Sequence, residues 1–158
     1  MKRTSILFVG LLLIAAEAVS AQGMKRDSGP AAPGNAMMAA DPAKAVFDLR
    51  GMAPGVIPFT SEAASQALAA RRRVVYFFAA SWCPTCRAAY RDLKANAAAV
   101  PSDAVIVVVD YDKAEELKTK YGVSYQHTFV AIGPGGEAKK TWSGSLTVKE
   151  ILGALPDR

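Results

Sequence analysis

At 158 residues with 51% apolar side chains, the chain is long enough for one domain with a buried core and too apolar for general disorder. Nineteen basic and fourteen acidic side chains leave a formal charge of +5. That excess is spread between apolar runs rather than gathered into a basic stripe with exposed aromatics, which excludes nucleic acid as the expected partner and assigns the charge to solubility.

Residues 1–21 read as a secretory signal. Lys2 and Arg3 form its charged start, Ile6 to Ala16 its apolar stretch and Val19-Ser20-Ala21 a small-residue cleavage site. The apolar run falls short of the roughly 20 residues that a membrane-spanning helix needs, and Glu17 interrupts it, so no stable membrane insertion is expected after its removal. The mature chain is expected to be exported, periplasmic or extracellular, where disulfides form and persist. Residues 22–45 are rich in Ala, Gly, Pro and Met, a flexible-linker composition. Met24, Met37 and Met38 there are of a type that suits soft metals, but no His or Cys accompanies them, which favours a plain tail. The folded domain is expected over 46–158.

Gly51, Pro54, Gly55 and Pro58 break up the first part of that domain and leave Val56-Ile57 as a short edge strand. Thr60 or Ser61 caps a helix through Ala70, with Glu62 near its positive end and Arg71-Arg72-Arg73 as a solvated helix end. Val74 to Ala80, β-branched and aromatic, reads as a fully buried strand. Ser81-Trp82-Cys83-Pro84-Thr85-Cys86-Arg87 follows, with the only two cysteines. Pro84 suits the first position of a helix running to Val100, where Pro101 blocks continuation. Cys83 then sits at the N-cap, and Cys86 falls on the apolar stripe of Ala89, Tyr90, Leu93, Ala97 and Val100. The two sulfurs meet at one helix start, Cys83 facing outward and Cys86 inward, as in a reversible dithiol pair. Arg87 is expected to leave toward solvent with Arg91 and Lys94.

Ala104 to Asp110 lacks polar alternation until its end and reads as a parallel strand buried on both faces, completing a right-handed βαβ unit. Asp112 with Glu115 has capping-box spacing for a helix to Tyr121, with Ala114, Leu117 and Tyr121 inward and Gly122 as its stop. Thr128 to Ile132 is a strand, Gly133-Pro134-Gly135-Gly136 a tight connection and Glu137 to Trp142 an antiparallel edge partner. Thr147 and Glu150 frame a last helix with Val148, Ile151, Leu152 and Leu155 inward.

Several chemistries are open to two cysteines and the only histidine, His127. A structural disulfide closing so short a loop removes little chain entropy and stabilises little. Zinc needs four ligands, and Cys83, Cys86 and His127 supply three. Copper(I) accepts fewer, so a copper-binding carrier using these three residues stays open. A redox-inert module holding a partner around Trp82, Tyr125 and His127 is a third possibility.

From Val56 onward the order of elements around Trp82-Cys83-Pro84-Thr85-Cys86, with Tyr121-Gly122-Val123 before the hairpin, resembles the thioredoxin superfamily. The resemblance implies an α/β thioredoxin-like fold: a central mixed sheet with a parallel βαβ unit, a C-terminal β-hairpin and helices on both faces. It implies thiol–disulfide exchange with protein thiols and disulfides and recycling by a redox partner. In that scheme Cys83 attacks, Cys86 resolves and Trp82 packs beside the leading sulfur, while Pro84 and Thr85 bear on the reduction potential. Tyr125, Gln126 and Thr128 would line the substrate groove. A monomer is expected, with no cofactor beyond the cysteine pair itself.

Two positions depart from that pattern. Phe77 stands where many relatives carry an acid, so any base for Cys86 must come from elsewhere or from water. His127, in Tyr125-Gln126-His127-Thr128, takes the place of a cis-proline. A cis bond to a non-proline costs about 3 kcal/mol, so the Gln126–His127 peptide is expected trans, with the imidazole toward the sulfurs. His127 is then either a modulating group that favours the Cys83 thiolate when protonated or an ordinary hydrogen-bonded loop residue. His127-Thr128-Phe129 through Gly133-Pro134 is also similar to part of the Sco-type copper chaperones, which space their cysteines by three and use a downstream histidine.

Overall fold

In the computed structural model, which describes residues 46–157, five strands form one sheet in the order β1-β3-β2-β4-β5. The signal and linker expectations for residues 1–45 lie outside the described residues. The strands are β1 (Val56–Pro58), β2 (Arg73–Ala79), β3 (Ala104–Asp110), β4 (Thr128–Ile132) and β5 (Ala138–Ser143). β1 and β2 both run parallel to β3, while β4 runs antiparallel to β2 and to β5. The mixed sheet, its parallel βαβ unit and its terminal hairpin are therefore as the sequence implied.

Side-chain alternation along the central strands divides the interior in two. Val75, Phe77 and Ala79 of β2 and Ile106 and Val108 of β3 face one layer; Tyr76, Phe78, Val105 and Val107 face the other. Such strands need cover on both faces, and the helices supply it. α2 (Pro84–Asn96) brings Cys86, Ala89 and Leu93 to the first layer, and α4 (Val148–Ala154) brings Val148 and Ile151. α1 (Glu62–Ala69) and α3 (Glu115–Tyr121) cover the second, with Ala69, Leu117 and Tyr121 buried there.

The caps follow local chemistry with one exception. Ser61 accepts from the Ala64 N–H and Thr147 from the Glu150 N–H, each satisfying an orphan donor. A second tie holds α4: Asp92 of α2 accepts from the Val148 N–H at 2.7 Å. Gly122 ends α3 in the left-handed conformation, φ +63, where a side chain is disfavoured. The exception is Asp112. α3 begins at Glu115 with Ala114 as its N-cap and no side-chain cap, so the expected capping box does not form. α2 also stops earlier than expected, tightening into a single 3-10 turn at Ala97–Ala99 before Val100.

Candidate functional site

The cysteine pair lies where β2 gives way to α2, on the first core layer. Cys83 is the N-cap of α2, and its sulfur accepts from the Cys86 backbone N–H at 3.3 Å. The Thr85 hydroxyl lies 3.1 Å from the same sulfur. Both cysteines are free thiols. Burial pushes the Cys83 thiol up, but hydrogen bonds from the Cys86 thiol, the Thr85 hydroxyl and the N–H groups of Cys86 and Thr85 outweigh it and the net shift is downward. Cys86 moves the other way. Burial first, then the neighbouring Cys83 thiol, push it up to about 12, against opposing contacts from the Ala80 and His127 backbones. The two thiols are thus set apart, one inclined to ionise and one to keep its proton.

The outward-facing Cys83 expected from its N-cap place is not what the fold gives. Cys83 is only 2% exposed and Cys86 fully buried, because the leading sulfur belongs to the apolar layer beneath α2. Around it the surface is open: Trp82 is 55% and Tyr125 75% exposed. The Trp82 Nε1–H donates to both carboxylate oxygens of Asp112, at 3.0 and 3.2 Å, which gives Asp112 its role in place of the helix cap. Arg87 is exposed, as expected, but its side chain turns back onto the chain. Its guanidinium donates to the carbonyls of Ser81 (3.1 Å) and Trp82 (2.9 Å) and ties down the turn that presents Cys83. Neither contact has a local sequence signature.

The 125–128 loop faces this end of the sheet. Its Gln126–His127 bond is trans as expected: among the described residues the one cis peptide joins Ala53 and Pro54. His127 instead takes φ +61, a left-handed conformation costing a non-glycine residue about 1–2 kcal/mol. Its N–H donates to Phe78 O at 2.8 Å. The imidazole is buried edge-on against the Phe77 ring (centroids 5.6 Å apart) and the Phe129 ring (5.5 Å). Neither ring nitrogen reaches a hydrogen-bond partner, the sulfurs included, at a cost of about 1–3 kcal/mol for each buried polar atom left unpaired. Burial holds the imidazole below its ordinary value, opposed by the nearby Ser145 backbone. Thr128 is not open groove lining: it is buried, and its hydroxyl donates to the Tyr125 carbonyl at 2.8 Å. Gln126 is half-buried beside it.

Among the described residues, no three His, Cys, Asp or Glu side chains are grouped to hold a metal ion, so Cys83, Cys86 and His127 do not assemble as a ligand set. A cavity of about 240 Å³ lies at the other end of the sheet, lined by Arg72, Arg73, Ile132 and Leu155 among others, away from the cysteines. No described helix is long and apolar enough to cross a membrane.

A mixed five-stranded sheet with a dithiol at the start of its central helix defines a two-thiol α/β protein. The family model Thioredoxin matches residues 55–156, and the chain belongs to the thioredoxin family. It is 39% identical over 59 residues to Thioredoxin-1 of Drosophila melanogaster, a match covering 37% of this chain and 55% of that protein. The chain thus spans about half the length of the curated relative it matches. Among solved structures it is similar to Trxlp from Edwardsiella tarda EIB202, with a TM-score of 0.53 and 24% identity over 65% of this chain and 100% of that one. The thioredoxin of Malassezia sympodialis is similar with a TM-score of 0.50 and 21% identity, over 64% of this chain and 90% of that one. These two likenesses concern the fold.

Proposed function

We propose that the chain is an exported thiol–disulfide oxidoreductase that reduces or exchanges disulfides in protein substrates through Cys83 and Cys86. The observation that carries this reading is the pair of donors aimed at the Cys83 sulfur, the Cys86 N–H at 3.3 Å and the Thr85 hydroxyl at 3.1 Å. Only a thiolate attacks a disulfide, and donors of this kind favour the thiolate over the thiol. The export half rests on the sequence of residues 1–21.

In the reductive direction the Cys83 thiolate attacks one sulfur of a substrate disulfide. The substrate S–S bond breaks, one sulfur leaves as thiolate and a mixed disulfide forms on Cys83. Cys86 then loses its proton and attacks Sγ of Cys83, 3.3 Å from its own backbone nitrogen. The second substrate sulfur departs with its electron pair. The substrate has gained two electrons, its two thiolates are protonated by the Cys86 proton and one from water, and the pair has become a disulfide. Exposed Trp82 and Tyr125 offer aromatic surface to the incoming polypeptide.

Insulin reduction by the full-length protein, beside Cys83→Ser, tests the chemistry. Turnover is expected in the wild type and lost in the variant. Equal turnover in both would remove the catalytic reading and leave a binding role for the fold. Fractionation of cells expressing the full chain tests export: a cytoplasmic product of unchanged length would remove that half.

A further inference from the structure

A row of positive charge leads away from the cysteine pair along α2. Arg87, Arg91 and Lys94 stand four and three residues apart, so they share one face of the helix, and all three are exposed. Arg87 fixes the near end of the row, because its guanidinium is bonded to the Ser81 and Trp82 carbonyls just before Cys83. At 1.5 Å per residue the row then extends about 10 Å along the helix.

Elsewhere in the described residues cations are paired with acids: Arg50 with Asp48, Arg73 with Asp103, Lys113 with Asp110, Lys118 with Glu115 and Lys120 with Glu62. Arg91 and Lys94 have no ion pair or hydrogen bond among the described residues, and Lys149 on the first turn of α4 has none. The acids on this side are held by other donors. Asp92 accepts from the Asn96 side chain at 2.9 Å and from the Val148 N–H at 2.7 Å, and Glu150 accepts from the Leu146 N–H at 2.7 Å. Lys94 acts on Asp48 at longer range, but Arg50 already holds that carboxylate at 2.7 Å. On the α3 side of Trp82, Asp112 holds the indole and Glu115 holds Lys118, which leaves Glu116 as the unpaired acid there.

The row works against its own helix. Like charges four residues apart repel, and Arg87 sits close to the positive end of the helix dipole. α2 has no acid in its first turn to offset them. A local rule broken on the exposed face beside the reacting sulfur marks a surface whose counter-charge arrives from outside.

We infer that the Arg87–Arg91–Lys94 face binds an acidic segment of the substrate polypeptide, so that disulfides flanked by Asp and Glu are reduced in preference to others. This rests on the thiol–disulfide reading above. Trp82 and Tyr125, exposed around Cys83, receive the disulfide itself, and the row holds the flanking carboxylates. Opposite charge raises the encounter rate of two partners by about tenfold or more, and salt removes the advantage.

The test uses full-length reduced protein and three synthetic peptides that share one internal disulfide and carry acidic, neutral or basic flanks. Single-turnover reduction of each is followed by stopped flow at low and at high salt, with the neutral peptide as the reference rate for each protein. The acidic peptide is expected to be reduced at least about tenfold faster than the basic one at low salt, with the gap closing as salt screens the row. Arg91→Glu with Lys94→Glu leaves Arg87 at its turn and changes two side chains that bond nothing else in the described fold. Arg91→Gln with Lys94→Gln is the second variant, and near-UV circular dichroism verifies folding of both. The acidic-to-basic ratio should fall below one in the first and to about one in the second, whereas a merely structural role would slow all three peptides alike. Equal rates for acidic and basic peptides in the wild type, or an unchanged ratio in a folded variant, would overturn the proposal. Equal rates together with cosedimentation on phosphatidylserine vesicles would assign the row to an anionic membrane surface instead. A wild type that reduces none of the peptides, and so matches Cys83→Ser, would sink the thiol-exchange reading itself and the substrate class with it, which is a different result.

Discussion

The backbone N–H of Cys86 is directed at the sulfur of Cys83, 3.3 Å away, so the first turn of α2 supports the thiolate on its own N-cap. The Thr85 hydroxyl adds a second donor. Thr85→Val is expected to slow alkylation of Cys83 by iodoacetamide at about pH 7 by roughly threefold to tenfold, by raising the pKa of that thiol. Peptide-resolved mass spectrometry after timed alkylation reads the rate, and Cys86 should stay unmodified throughout. An unchanged Cys83 rate would show that the hydroxyl does not act on the sulfur.

Alkali is expected to destabilise the fold through its buried acids. Cys86 and Tyr121 are pushed up to about 12, chiefly by burial, and burial moves Tyr76 upward too. Their unfolded values are about 8.5 for Cys and about 10 for Tyr. As pH rises past those values the unfolded chain releases protons that the folded chain keeps. The unfolded state then binds fewer protons and stability falls, through a window from about 8.5 to about 12. Cys83, shifted down, acts oppositely and below that window. Urea midpoints measured across the window should decline, with a shallower slope in Cys86→Ala.

Loss of the Asp112 carboxylate should release the Trp82 indole. In a Trp142→Phe background, where Trp82 alone emits, Asp112→Ala is expected to raise the acrylamide quenching constant. Because the contact is exposed, stability should fall by about 1 kcal/mol or less. Quenching identical to the parent would mean that the indole is not held.

At position 127 the backbone and the ring can be separated. His127→Ala keeps the left-handed cost and loses the ring, whereas His127→Gly loses both. Glycine is therefore expected to be the more stable variant by about 1–2 kcal/mol in urea unfolding. An alanine variant of equal or greater stability would indicate that residue 127 does not hold a positive φ.

Much of the fold was legible because the central strands carry their own signature. Ala104–Asp110 is apolar without alternation and Val74–Ala80 nearly so, which fits only strands covered on both faces. Pro84 marked the start of α2, and Gly122 the end of α3. What escaped were contacts across the chain. Asp112 has the right spacing to Glu115 for a cap, but an indole thirty residues earlier competes for its carboxylate. The same holds for Arg87, whose neighbours in sequence gave no sign that it would turn back onto the Ser81 and Trp82 carbonyls. The N-cap position of Cys83 was readable; its depth was not, since 2% exposure depends on what packs around the turn. His127 was visible as a replacement, but its seat edge-on to the stacked Phe77 and Phe129 rings comes from the pairing of β2 with β4.

The sheet has two outer margins, and each is unsuited to recruiting another strand. β1 is three residues long and ends in Pro58, which has no N–H to offer a neighbour. β5 places Lys139 and Lys140 side by side on its exposed length, so an identical margin brought alongside would meet ammonium with ammonium. Neither margin therefore offers a second copy of the chain a free template along which to pair.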